Sequence, residues 1–272
     1  MNNNWQKILL TFALPIILIG AVAFYIYTDL HRPAINSLSN SETTQNIPIV
    51  ASTGTSTGGY TVTMLDPKNG KPSQANVKKP DLSASVVNSS HIDDAAFKVI
   101  AQNITTLTND LKKDSTDESK WLNLGIFRKM IGDYPAALEI FTYVSMAWPT
   151  DYIPFNNMAD LYQFYLKNYS LAEKNWLQVI ALKPDYPDAY ENLYVVYRDF
   201  YKEKQSLALP TLLKGLENNP KSIDLMVYVA RHYRSTGDTE KAKIYYNKAI
   251  AQARLVKGSQ LETMLSTEAG EI

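Results

Sequence analysis

The chain has 272 residues, with 27 basic and 27 acidic side chains and a formal net charge of zero. That balance excludes a general nucleic-acid binder, which carries a large positive excess. There is no cysteine, so disulfides, thiolate catalysis and Cys-ligated metal are excluded.

In chain order, residues 1–7 form a short tail. Ile8 to Tyr27 is a run of twenty residues without a charge. As a helix rising about 1.5 Å per residue it spans roughly 30 Å, one hydrocarbon core. Trp5 flanks one end and Tyr25 and Tyr27 the other, where interfacial aromatics belong. The spacing predicts a transmembrane helix or signal anchor over 8–27. Lys7 and the terminal amine give a weak bias to an N-in orientation, with the remainder outside. The rival is a cleaved signal peptide, with Ala21-Val22-Ala23 as the cleavage motif and release after Ala23.

Residues 28–90 change in character. More than half of residues 33–90 are Ser, Thr, Asn, Gly or Pro, and Tyr60 is the one aromatic. Such a stretch buries too little apolar area to offset its ordering entropy, so a disordered linker is expected. From 91 to 114 a helix is expected, because Ile92, Ala96, Ile100, Ile104, Leu107 and Leu111 recur at helical steps. It serves as a cap or as a stalk.

Internal repetition then governs the chain. Prolines fall at 149, 184 and 220. Before them the same sizes return: Trp121, Leu124, Gly125, Tyr134, Ala137 and Phe141; Phe155, Met158, Ala159, Tyr162, Tyr169, Ala172 and Trp176; Tyr190, Leu193, Tyr197, Ala208, Leu212 and Gly215. A last set carries Met226, Val229, Ala230, Tyr233, Gly237, Ala242, Tyr246 and Ala249. The second unit has one extra residue and the third has two, expected in the turn between each unit's helices.

This pattern resembles the tetratricopeptide repeat (TPR). The resemblance implies an all-α fold, a right-handed α-solenoid of about four helix pairs over residues 118–256. The repeats are 118–151, 152–186, 187–222 and 223–256, with a loose tail over 257–272. Small residues let paired helices approach, and large ones fill between units. Tyr194 stands where Gly or Ala is expected, so local splaying of the third unit is expected.

Three His, at 31, 91 and 232, show no metal spacing, and no nucleophile elbow occurs. No catalytic, metal or cofactor site is read; an enzyme with an unrecognised site is the remote alternative. The TPR resemblance implies instead that the first helices line a concave groove for a protein or peptide partner. The groove residues it implies are Asn156, Asp160, Gln163, Asp188, Glu191, Arg198, Arg231 and Arg234, with Leu122, Ile126 and Lys129 in the first unit and Asp224 in the fourth. The carboxylate clamp of chaperone-docking TPRs is missing, since Asn157 alone matches it. Arg198, Arg231 and Arg234 are expected to form a basic patch for an acidic partner, unless they pair internally. The chain thus reads as a membrane-anchored scaffold, without nucleic acid or cofactor, acting in envelope assembly, secretion or maturation.

Overall fold

The computed structural model describes residues 77–255 and 259–270. The apolar run 8–27 and most of the 28–90 linker lie outside the described residues. Among the described residues no helix is long and apolar enough to cross a membrane, and no strand occurs.

The described chain is a succession of helices: α1 (Asp94–Lys113), α2 (Glu118–Met130), α3 (Tyr134–Ala147), α4 (Ile153–Asp160), α5 (Tyr169–Leu182), α6 (Pro187–Val195), α7 (Ala208–Asn218), α8 (Ile223–Ser235), α9 (Thr239–Leu255) and α10 (Ser259–Gly270). The helices pair in chain order, α2 with α3, α4 with α5, α6 with α7 and α8 with α9.

Local chemistry sets the ends. Asp133, Asn168 and Asp238 occupy one repeat position. Each accepts a backbone N–H three residues on, from Ala136, Leu171 and Lys241, and so starts a second helix. The preceding turn needs a left-handed backbone. Gly132 and Gly237 supply it at φ of 80° and 82°, and Lys167 takes it at 53°.

The extra residues are housed differently from the expectation. They do not all fall in the turns. The last turn of the second unit's first helix opens into a π turn over Leu161–Tyr165, where Leu166 N–H reaches the Leu161 carbonyl at 2.9 Å. The third unit repeats this over Val196–Phe200, with Tyr201 N–H to Val196 O at 2.9 Å. A π turn is how a helix takes in one more residue without losing its register. The third unit's remaining insertion forms a 3₁₀ segment, Lys202–Leu207, ahead of α7, which has no side-chain cap.

The helix pairs close on small residues. Ala137, Ala172, Ala208 and Ala242 are buried on the second helices, and Ala159 and Ala230 on the first. A Cβ on Gly125 of α2 would stand 2.6 Å from the Phe141 ring of α3, and one on Gly215 of α7 would stand 2.9 Å from Tyr190 of α6. Trp121, Phe141, Tyr190, Trp176 and Tyr246 fill the space beside these contacts and are buried. Tyr194 does not wedge its own pair apart. It is buried, and its ring meets Tyr228 and His232 of α8, so its bulk fills the space toward the next unit.

Two further expectations, on the linker and on the tail, need revision. The linker is not structureless up to residue 90. Residues 77–90 cross the end of the first unit, with Val77, Leu82 and Val86 packed on the core. Buried Arg128 of α2 donates to the carbonyls of Ala84 and Ser85 and to Asp133. The Ser89 and Ser90 amides donate to the Ile131 carbonyl, which the helix end leaves unsatisfied. Helix α1 is a cap, since Ile100, Ile104 and Leu111 join the Trp121 core. Finally, the tail holds α10, which packs on α9 with Leu265 buried among Met226, Ala230 and Tyr246. Its low apolar content hid it, for the helix is held by one buried leucine and by ion pairs.

Because the Phe141 ring is wholly buried, it cannot swing away from an added methyl on residue 125. Gly125→Ala is expected to destabilise the fold by about 1–3 kcal/mol, the usual range for overpacking. Thermal denaturation followed by circular dichroism measures it; an unchanged midpoint would contradict the close helix approach.

Candidate binding face

The first helices α2, α4, α6 and α8 lie side by side, and side chains bridge each junction. Between α2 and α4, Lys129 forms an ion pair with Asp160 and lies over the Tyr165 ring at 5.7 Å. Just ahead of α4 and α6, their N-cap residues Tyr152 and Tyr186 meet with ring centroids 5.4 Å apart. Between α6 and α8, Tyr194 and Tyr228 meet edge to face at 5.7 Å.

Charge is sorted along these helices. Toward their C-terminal ends lie the cations. Arg198 makes a bidentate bond to the adjacent Asp199, at 2.6 and 2.7 Å, and donates to the Tyr194 hydroxyl at 3.2 Å. Burial alone would lower the Arg198 pKa, but Asp199 and Tyr194 outweigh it and raise it. Arg231 forks onto Glu268 of α10, at 2.7 and 2.9 Å. That hydrogen bond raises the Arg231 pKa despite desolvation. Glu268 also accepts from the Tyr246 hydroxyl at 2.6 Å. The Arg231 bond, against the cost of burial, holds the Glu268 carboxyl below its usual range, with Arg234 adding a charge nearby.

Toward the N-terminal ends lie the acids. Burial, with the charges of Asp224 and Asp188, pushes the Glu191 carboxyl up to about 8. The Tyr186 phenol is raised strongly, first by burial and then by the charge of Asp188, to which it also hydrogen-bonds, with Tyr152 and Glu191 adding to the effect. Tyr228 stands between the two zones. Burial and Glu191 push its phenol up to about 12, while Arg198 and Arg231 pull the other way. Two units earlier, burial and the adjoining Asp151 carboxyl push Glu118 up to about 7.

The residues expected in a groove thus divide. Asp188 and Asp224 lie within electrostatic reach of Glu191, and Tyr228 lies within reach of Glu191, Arg198 and Arg231. Asp160 is 5% exposed and engaged by Lys129. Gln163 is 1% exposed and turned inward, accepting the Trp176 indole N–H at 2.7 Å. The arginines take the internal alternative: Arg198 and Arg231 are paired within the chain. Sequence reasoning passed over Tyr152, Tyr186 and Tyr228. The available signal was the recurrence of Asp188 and Asp224 at one repeat position, with Tyr186 two residues before the first and Tyr228 four residues after the second.

Among the described residues no group of three or more His, Asp or Glu is placed to hold a metal ion. The polar side chains of the face are spread over several helices.

No family model matches the chain, and no curated protein matches it. Solved structures similar to it include a crystal structure of MamA, 23% identical, covering 60% of this chain and 96% of that one at a TM-score of 0.48. A thermophilic TPR protein of Thermus thermophilus is 17% identical, covering 64% and 93% at 0.44. YrrB, described as a TPR protein with an unusual peptide-binding site, is 13% identical, covering 60% and 90% at 0.43. These are likenesses of fold; the architecture rests on the packing above.

The acidic zone yields a measurable pH dependence. Unfolded, Glu191 titrates near its ordinary value of about 4.3; folded, it holds its proton to about 8. Between those values the folded state binds the extra proton, so this group lowers stability progressively as pH rises through the interval. Glu191→Gln is therefore expected to raise the melting temperature at about pH 9 and to change it little at about pH 4. Equal shifts at both pH values would contradict the crowding of carboxyls.

Proposed function

We propose that this protein is a membrane-tethered TPR scaffold that docks a protein partner on the face of its first helices and performs no chemistry of its own. The observation that carries the reading is that face. Aromatic and charged side chains of α6 and α8 meet on it: Tyr194 lies against Tyr228, and Glu191 lies within electrostatic reach of Asp188 and Asp224. The TPR resemblance supplies the geometry, a concave groove lined by first helices.

The tether is the uncharged run Ile8–Tyr27. It puts the N-terminus on the inner side and the repeats on the outer side of a single membrane, on the basis of Lys7 and the terminal amine. The linker after it sets how far the repeats stand from the bilayer. Work in envelope assembly, secretion or maturation fits such a placement. The competing reading, release as a soluble exported protein after Ala23, is favoured by the Ala21-Val22-Ala23 motif.

Two measurements test this. The full chain is expected to stay in the membrane fraction through an alkaline wash, because twenty buried apolar residues are not extracted by disrupting charge. A soluble form starting at Phe24 by mass spectrometry would establish the cleaved alternative. A photo-crosslinking amino acid at position 156 of α4 is expected to capture a partner segment in cells, while one at Lys243 of α9 captures none. The opposite distribution would remove the first-helix face from the docking role.

A further inference from the structure

Helix α10 brings a carboxylate into a site at the end of α8. Glu268 takes a forked bond from Arg231, at 2.7 and 2.9 Å, and accepts from the Tyr246 hydroxyl at 2.6 Å. Arg234 bonds the same hydroxyl and adds its charge at Glu268. Guanidinium groups and a phenol O–H suit a carboxylate, and the fork fixes its orientation as well as its charge. The site is open to solvent. The Arg231 side chain is 54% exposed, against 13% for Lys129 and 16% for Arg198. The counter-ions differ in the same way. Asp160 is buried in a first helix, and Asp199 is the residue next to Arg198, so neither can leave its cation. Glu268 rides on a separate element.

That element is held by little else. Among the described side chains of α10, Leu265 is the one large apolar group that is buried, while Leu261 and Met264 face solvent. A second tie, Arg254 to Glu262, is an exposed ion pair, and such pairs hold little by themselves. The residues beneath Leu265, among them Met226, Ala249, Ile250 and Ala253, form an apolar cluster of their own, apart from the one that runs through the other units. Release of α10 therefore leaves the main core closed. A helix with so few buried contacts opens far more readily than the repeats unfold. Three residues join it to α9, so it stays at high effective concentration and docks again when nothing competes.

We propose that Arg231, Arg234 and Tyr246 form a docking site for an aspartate or glutamate side chain of a partner segment, and that Glu268 of α10 is its resident stand-in, displaced when the partner binds. This rests on the reading of the first-helix face as a docking surface, and adds to it the partner's charge and a built-in competitor. A segment lying along that face reaches Arg231 at the C-terminal end of α8. Its carboxylate repeats the bonds that Glu268 makes. One carboxylate replaces another, so the partner's further contacts with the face favour the exchange. The apparent affinity is the intrinsic one multiplied by the fraction of molecules with α10 released.

The test uses the full chain in detergent and short fluorescent Gly/Ser peptides bearing spaced glutamates, spaced lysines or neither, read by anisotropy. The glutamate peptide is expected to bind more tightly than the other two. Glu268→Gln, near-isosteric, is expected to tighten it about tenfold, as for a site released in about one molecule in ten. Leu265→Ala keeps every charge and loosens α10, and is expected to act in the same direction. Arg231→Gln added to Glu268→Gln is expected to remove most of the gain. Circular dichroism checks that the repeats stay folded; should one of the two α10 variants fail to fold, the other decides. The proposal is overturned if the folded Glu268→Gln or Leu265→Ala chain binds the glutamate peptide no more tightly than the wild type, as a purely structural cap requires. It is overturned equally if the lysine or uncharged peptide binds as well, or if the gain survives Arg231→Gln. Conversion of a dimer into a monomer by Leu265→Ala would give α10 to a second copy, with the same consequence. Crosslinks from position 156 to a segment without acidic residues overturn the charge assignment and leave the docking role standing. No crosslink from that position removes both.

Discussion

The architecture depends on how closely two helices of one unit approach. Gly125 lies under the Phe141 ring and Gly215 under Tyr190, at separations that no Cβ tolerates. The alanines at 137, 159, 172, 208, 230 and 242 are sealed in the same crossings. Once a pair is drawn together in this way, its large residues project sideways and must be covered by the next pair. Trp121, Trp176 and Tyr246 are such residues, and each is buried. The stack therefore needs ends. Helix α1 with segment 77–90 covers one, and α10 covers the other.

The same stacking makes the candidate binding face. Side-by-side first helices bring side chains from separate units within contact, and the face collects whatever those positions hold. Where opposite charges meet, as with Lys129 and Asp160, the junction is closed. Where acids meet, as with Glu191 and Asp224, a proton relieves the junction, and burial together with the neighbouring carboxylates makes Glu191 hold it to about 8.

The end caps connect this face to the rest of the chain. Glu268 of α10 reaches Arg231 on α8 and Tyr246 on α9, so the last helix also neutralises the cationic end of the face. At the other end, Arg128 ties residues 84 and 85 to the first unit, which fixes where the preceding linker departs. Of the described helices, α2 and α8 thus hold both the repeat core and the contacts that orient the flanking segments.

The sequence by itself determined the repeat. Gly, Ala and aromatic residues return at a fixed period, and their sizes dictate which helices cross closely, so helix pairing and most of the core were legible. The cap helix α1 was legible from its apolar spacing. Helix α10 was not, because Leu265 is its one buried large residue and its anchoring ion pairs join positions far apart in the chain. The π turns were visible as extra residues, but the choice between loop and helix turned on backbone hydrogen bonds that composition does not encode. The candidate face was legible as a set of positions and not as a chemistry. Arg198, Arg231 and Glu191 were all in view as charges, yet only the tertiary structure decided which of them meets a counter-ion. An ion pair depends on distances of a few ångströms between side chains of different helices. Gln163 shows the same limit: its repeat position is that of Arg198, yet it lies inward and accepts the Trp176 indole N–H.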